Sequence, residues 1–196
     1  MKGSLKFIRR KTLFVAALLS LFMLVAPNLS ATVMKYLGVA DLVEASDVVV
    51  VAKVQKKEFS TDKNGDLVTN VTVVPSRTLL GEEAKTLTFQ QWGGETELKQ
   101  SKVPGDARFE VGEEAVLFLR KADMEPGLFL TALGQSKYQI SRGDGGATAT
   151  RELDDISFLR DGGGPTKIEH LPSEVVKLDT LLSQIETVAK AKKEAK

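Results

Sequence analysis

The sequence predicts one β-rich domain, all-β to α+β, with five or six short antiparallel strands closed as a barrel or sandwich and a single helix at the C-terminal end. Three observations predict it. Short β-branched or apolar runs recur between turn signals, at residues 48–54, 67–74, 86–92, 115–119, 128–133 and 137–141. Only the stretch from Val175 to Ala189 places apolar residues at helical spacing. The chain has 196 residues, 42% hydrophobic and 27% charged, with no cysteine, so it relies on a packed core rather than on disulfides.

Residues 1–31 read as a cleavable signal peptide. Lys2, Lys6, Arg9, Arg10 and Lys11 precede an uncharged apolar run, residues 12–26, that is too short to span a bilayer comfortably. Small residues follow, and the cut is expected after Ala31. With no cysteine after the run, the acylated-lipoprotein route is closed. The expected mature protein is periplasmic or secreted, with no stable membrane insertion. Cleavage removes five of 27 bases and none of 26 acids, leaving 22 against 26, a formal charge of −4. That balance argues against a nucleic-acid partner, which needs a clustered basic surface. The one basic cluster, Lys190, Lys192, Lys193 and Lys196, reads as a solvated, frayed tail.

The elements follow in order. Residues 38–46 form a helical turn. Val48 to Val54 form a strand buried on both faces at first, which leaves the core near Gln55. Asn64-Gly65 marks a hairpin, because both residues tolerate positive φ. The return strand alternates from Leu67 until Pro75, a bulge or edge position. Residues 86–92 (TLTFQQW) form a third strand, and residues 93–114 a long loop tied down by Phe109 and Val111. Residues 115–119, 128–133 and 137–141 complete the set, with Gly134 as a kink. The barrel domain is thus residues 32–142. Residues 143–172 read as a glycine-rich connector, and residues 173–196 as an amphipathic helix, capped by Ser173, with its basic tail.

Several segments together resemble a bacterial family of uncharacterised exported domains. They are Ala40-Asp41-Leu42-Val43 before Ser46-Asp47-Val48-Val49-Val50, then Leu79-Leu80-Gly81 and Gly93-Gly94. Phe109-Glu110-Val111-Gly112-Glu113, Gly134-Gln135-Ser136-Lys137-Tyr138 and the helix of Leu178, Leu181 and Ile185 follow. The same order is distantly similar to the netrin or tissue-inhibitor-of-metalloproteinases module. That resemblance implies an OB-like barrel. It does not carry over the inhibitors' zinc-chelating N-terminal cysteine, since this chain has no cysteine, and a fold does not fix a function.

No catalytic, metal or cofactor site is expected. One histidine, His170, and no cysteine cannot make a usual zinc site, and His170 sits in a proline-flanked connector. Asp62-Lys63-Asn64-Gly65-Asp66 opens like a calcium loop, but Leu67 and Val73 stand where glycine and glutamate are needed. Glu152, Asp154 and Asp155 are an acidic group that reads as a solvated turn. The better site is the long loop. Trp92, Gly93, Gly94, Glu95, Glu97 and Arg108 combine an aromatic at a strand end with mixed charge, a surface suited to a protein. The sequence therefore predicts a non-enzymatic exported binding domain whose partner is another exported protein. Its narrower form is a protease-inhibitor-like module, which also uses residues 32–36. The rivals are an extracytoplasmic hydrolase using Asp154 or Asp155 and a structural envelope component.

Overall fold

The computed structural model describes residues 32–95, 100–122, 127–160 and 167–195; the expected signal segment lies outside them. The described chain begins with β1 (Thr32–Lys35) and α1 (Val39–Ala45). A long hairpin of β2 (Val48–Thr61) and β3 (Leu67–Leu80) follows, then β4 (Leu87–Glu95) and a short β5 (Gln100–Lys102). β6 (Glu114–Lys121) and β7 (Leu128–Leu130) come next, then β8 (Lys137–Gly143), β9 (Gly146–Arg151), β10 (Ile156–Arg160), β11 (Lys167–His170), β12 (Glu174–Lys177) and α2 (Leu178–Glu194).

Five of these strands close on one another. β2 pairs β3, β3 pairs β4, β4 runs parallel to β7, β7 pairs β6, and β6 returns to β2. This closure is that of an OB-like barrel. Beyond β6 the sheet continues through β8 and β9 to β12, and β1, β10 and β11 form a separate three-stranded sheet.

The valine run explains itself once both faces of β2 are followed. Val48, Val50, Ala52 and Val54 alternate inward and fill the barrel with Val71, Val73, Phe89, Leu117, Leu119 and Leu130. Val49 and Val51 point outward, but that face lies under the helices, with Phe118, Tyr138, Leu181 and Ile185. Phe109 enters the barrel beside Phe89, ring centroids 5.2 Å apart at 65°. Each fully buried valine or leucine contributes about 1.5–3 kcal/mol, so this two-sided burial is the main support of the fold.

Three sequence expectations are corrected. The described parts of the segment 143–172 are not a connector: β9 pairs β8 across the Gly143–Gly146 turn, and β10 pairs β1 in parallel. Threonines facing outward and Ala149 facing the core make β9 a strand of low hydrophobicity, which its glycines disguise. The C-terminal helix starts at Leu178, not Ser173. Residues 174–177 instead pair with β9, as Val175-Val176 favours, and Ser173 Oγ donates to Asp154 Oδ2 at 2.7 Å. The basic tail is not all frayed. Lys192 Nζ donates to the carbonyls of Val43, Glu44 and Ser46 at 3.0, 2.5 and 2.8 Å, capping the C-terminal end of α1.

Two buried polar groups hold the N-terminal segment. The Gln135 side chain accepts from Leu37 N at 2.9 Å and donates to Lys35 O at 3.1 Å. Arg151 is fully buried. Its guanidinium donates to Leu37 O at 2.8 Å, to the Tyr36 hydroxyl at 2.7 Å and twice to Glu174 Oε2, at 3.0 and 2.6 Å. It also lies 4.9 and 5.0 Å from the ring centroids of Tyr36 and Tyr138. Burial raises the Tyr138 phenol well above its ordinary range.

Candidate functional site

A register shift between Val54 and Lys56 separates the packed half of β2 from its outer half. Beyond it the exposed side chains of β2 are mostly polar, and β2, β3 and β4 continue as an open three-stranded ribbon. One face of the ribbon satisfies itself. Asn70 Nδ2 donates to Ser60 Oγ at 3.1 Å, Gln90 Nε2 donates to Asn70 Oδ1 at 3.2 Å, and the Thr72 and Thr88 hydroxyls meet at 3.0 Å.

Near the ribbon's end β4 passes through a left-handed backbone conformation at Gly93. Its φ is +90°, and a Cβ there would stand 2.5 Å from Ser101 O, so only glycine lets β5 pair so closely with β4. Thr69 Oγ1 donates to Gly93 O at 2.8 Å and holds the strand there. The same lack of a side chain at Gly94 lets Phe59 lie over it, since a Cβ would come within 3.0 Å of Phe59 Cδ1. Phe59 and Trp92 remain 47% and 43% exposed, large apolar groups that the fold does not cover.

Around them lies a groove of about 380 Å³. Phe59, Trp92, Gly94, Glu95, Lys102 and Arg108 contribute to its walls. Gln91 Nε2 donates to Ala107 O at 2.9 Å and ties residues 105–109 to β4. A second hollow of about 290 Å³ sits beside it, lined by Lys137, Gln139, Thr150, Glu152, Asp154 and Asp155 among others. Gly134 sets the wall between barrel and turn: its N–H donates to Gly105 O at 2.9 Å, and a Cβ would stand 2.7 Å from that oxygen.

Asp106 and Arg108 border both hollows. Burial pushes the Asp106 carboxyl up to about 6, against the Ala107 N–H at 2.8 Å and the Gln91 amide, which favour the ionised form. Arg108 Nη2 donates to Asp155 Oδ2 at 3.1 Å, and Lys102 Nζ stands 3.9 Å from the same oxygen. Lys137 is held differently. Its Nζ lies 2.7 Å from Glu113 Oε1, both side chains nearly buried, and 4.7 Å from the Phe109 ring centroid; it also donates to Arg108 O.

The structure thus brings Trp92, Gly93, Gly94, Glu95 and Arg108 to one groove. Glu97 lies outside the described residues. Sequence reasoning named Asp106 only as one charge of the loop and missed its burial, along with Phe59 and the Asp155 contact. Phe59 had a signal, an isolated aromatic in a polar strand end; Asp106 had none, since its burial comes from elements distant in sequence. The other candidates are scattered. His170 is the exposed last residue of β11. Asp154 meets Ser173 and Asp155 meets Arg108, so these neighbours serve separate contacts. Asp62 Oδ1 accepts the N–H groups of Asn64 and Asp66 at 2.9 and 2.8 Å, and these bonds, that from Asp66 foremost, hold its carboxyl below the usual range. That is a hairpin turn's own capping. Among the described residues no helix is long and apolar enough to cross a membrane.

Compared with known proteins, the chain matches no family model and no curated protein.

Proposed function

We propose that this chain is an exported, non-enzymatic binding domain that holds another exported protein in the groove beside Trp92. The observation that carries the reading is a groove with cations on its wall bordered by two half-exposed aromatics, Phe59 from the face it shares with Thr69 and Gln91, and Trp92 from the opposite face of the same strand end. Protein-binding energy concentrates on aromatic and arginine anchors set in such hollows and surrounded by polar groups. The anchors stand on paired strands fixed by Thr69 and Gln91, so little order is lost on binding. The basic start and apolar run of residues 1–31 support export.

In the narrower, inhibitor-like form the partner is a secreted protease. Thr32 pairs with Ile156, next to Asp155, which brings the first described residues to the Arg108 side of the domain. In this form residues 32–36 would contribute through their exposed edge, since Tyr36 and Lys35 are already engaged with Arg151 and Gln135.

The test is affinity capture from envelope and culture-supernatant extracts, read by mass spectrometry, with Trp92→Ser/Arg108→Ala as the control. The reading expects one exported protein held by the intact domain and lost from the control. Identical recoveries from both would remove it. A protease panel tests the narrower form, which fails if no protease is bound or inhibited.

A further inference from the structure

Two of the groove's three described wall cations share one carboxylate; the third, Lys57, stands 4.0 Å from Glu110. Among the described residues, Arg108 and Lys102 both pair with Asp155, on the same oxygen, at 3.1 and 3.9 Å. Within this triad two positive charges meet one negative, while Glu95, Asp106 and Glu110 balance the charge of the groove's lining as a whole. The side chains are 67%, 57% and 68% exposed for Arg108, Lys102 and Asp155. Exposed pairs of this kind are worth about 0–1 kcal/mol, so the contact is easily exchanged. Arg108 also reaches Asp155 through a single Nη2 contact, leaving the rest of its fork for a two-pronged grip on a carboxylate. Asp155 belongs to the second hollow and does not line the groove, whereas Arg108 borders both.

Resting on the groove as the binding site, we propose that its occupant is an extended, acidic peptide segment of the partner, whose Asp or Glu carboxylate takes the place of Asp155 on Arg108 and Lys102. The chain's own Asp155 is then a stand-in that keeps the cations matched while the groove is empty. Phe59 would receive an apolar residue of the same segment, and Trp92, on the other face of the ribbon, would border it at the strand end. The charge match is local, since the mature chain is negative as a whole. It therefore selects the sequence bound more than it speeds the encounter.

The test is selection of a phage-displayed random 12-residue peptide library on the full chain, counter-selected on Trp92→Ser. The proposal expects enriched peptides to share an Asp or Glu beside an aromatic or aliphatic residue. Replacing that acid by its amide in a synthetic peptide should weaken binding about tenfold, as should Arg108→Ala. Asp155→Asn should strengthen it about threefold, because the competitor is gone. Enriched peptides without an acid, or an Asp155→Asn variant that binds no better, would overturn the acidic occupant while leaving the groove in place. No peptide that distinguishes the intact chain from Trp92→Ser would overturn the groove itself.

Discussion

On the inner side of the register shift near Gln55, β2 is covered on both faces, by the barrel on one and by α1 and α2 on the other. On its outer side the same strand, still paired with β3, carries Lys56 and Glu58 in an exposed ion pair and leaves Phe59 half in solvent. Both halves pair antiparallel with β3, but only the inner half also pairs with β6. Pairing and side-chain cover change together, so the first half supplies stability and the second half supplies a surface. Substitutions in the two halves should therefore have opposite signatures.

The largest contrast is between two phenylalanines. Phe118→Ala, on β6 opposite Val49 in the covered half of β2, should cost about 3–5 kcal/mol in urea unfolding. Phe59→Ala should cost about 1 kcal/mol or less, since half of that ring already faces water. Equal losses would mean that the outer ribbon is part of the core.

Arg151 tests how the N-terminal segment is tied to the packed half. Arg151→Ala should cost about 3 kcal/mol, because it leaves Glu174 and the Leu37 carbonyl without their partner. Arg151→Met combined with Glu174→Gln should recover much of that loss, since no unpaired charge then remains. A double variant as unstable as Arg151→Ala would show that the lost hydrogen bonds to Leu37 O and the Tyr36 hydroxyl, not the unpaired charge, set the cost.

Asp106, on the wall between the two hollows, gives a pH signature. Its folded pKa of about 6 lies above the ordinary 3.8, so the folded chain holds this proton more tightly than the unfolded chain. Its contribution is complete below pH 3.8 and is lost as pH rises through about 6. Thermal unfolding between pH 4 and 8 should show a loss of about 2 kcal/mol from this group. Asp106→Asn should remove that part of the slope and be the more stable protein at pH 8. An unchanged slope in the variant would place the effect elsewhere.

The smallest expected effect is at the tail. Lys192→Ala should cost about 1 kcal/mol, because three α1-end carbonyls lose a charged donor. Lys193→Ala, one residue on, should be neutral within error if the cap is specific.

These contrasts also mark what the sequence could show. The barrel was legible because alternation over Val48–Val54 and Leu67–Val73 specifies an inward face, and the valines between them announce a second cover. The strands of residues 146–177 were hidden, because β9 needs only Ala149 and Arg151 inward, and Arg151 is buried through partners far along the chain, Tyr36 and Glu174. Lys192 was misread for the same reason, since its carbonyl partners lie near residue 44. Trp92 and the glycines after it were legible as a strand end. Phe59 joined them only through the register of β2 against β3 and the bare backbone at Gly94.

Trp92 is the one tryptophan of the chain, so its fluorescence reports the groove without a label. The decisive measurement is acrylamide quenching of that emission with and without the captured partner. The account predicts red-shifted, readily quenched emission for the free protein, and a blue shift with marked protection on binding. A partner that binds while Trp92 stays as red-shifted and as readily quenched as before would contradict the claim that the outer ribbon is the binding surface.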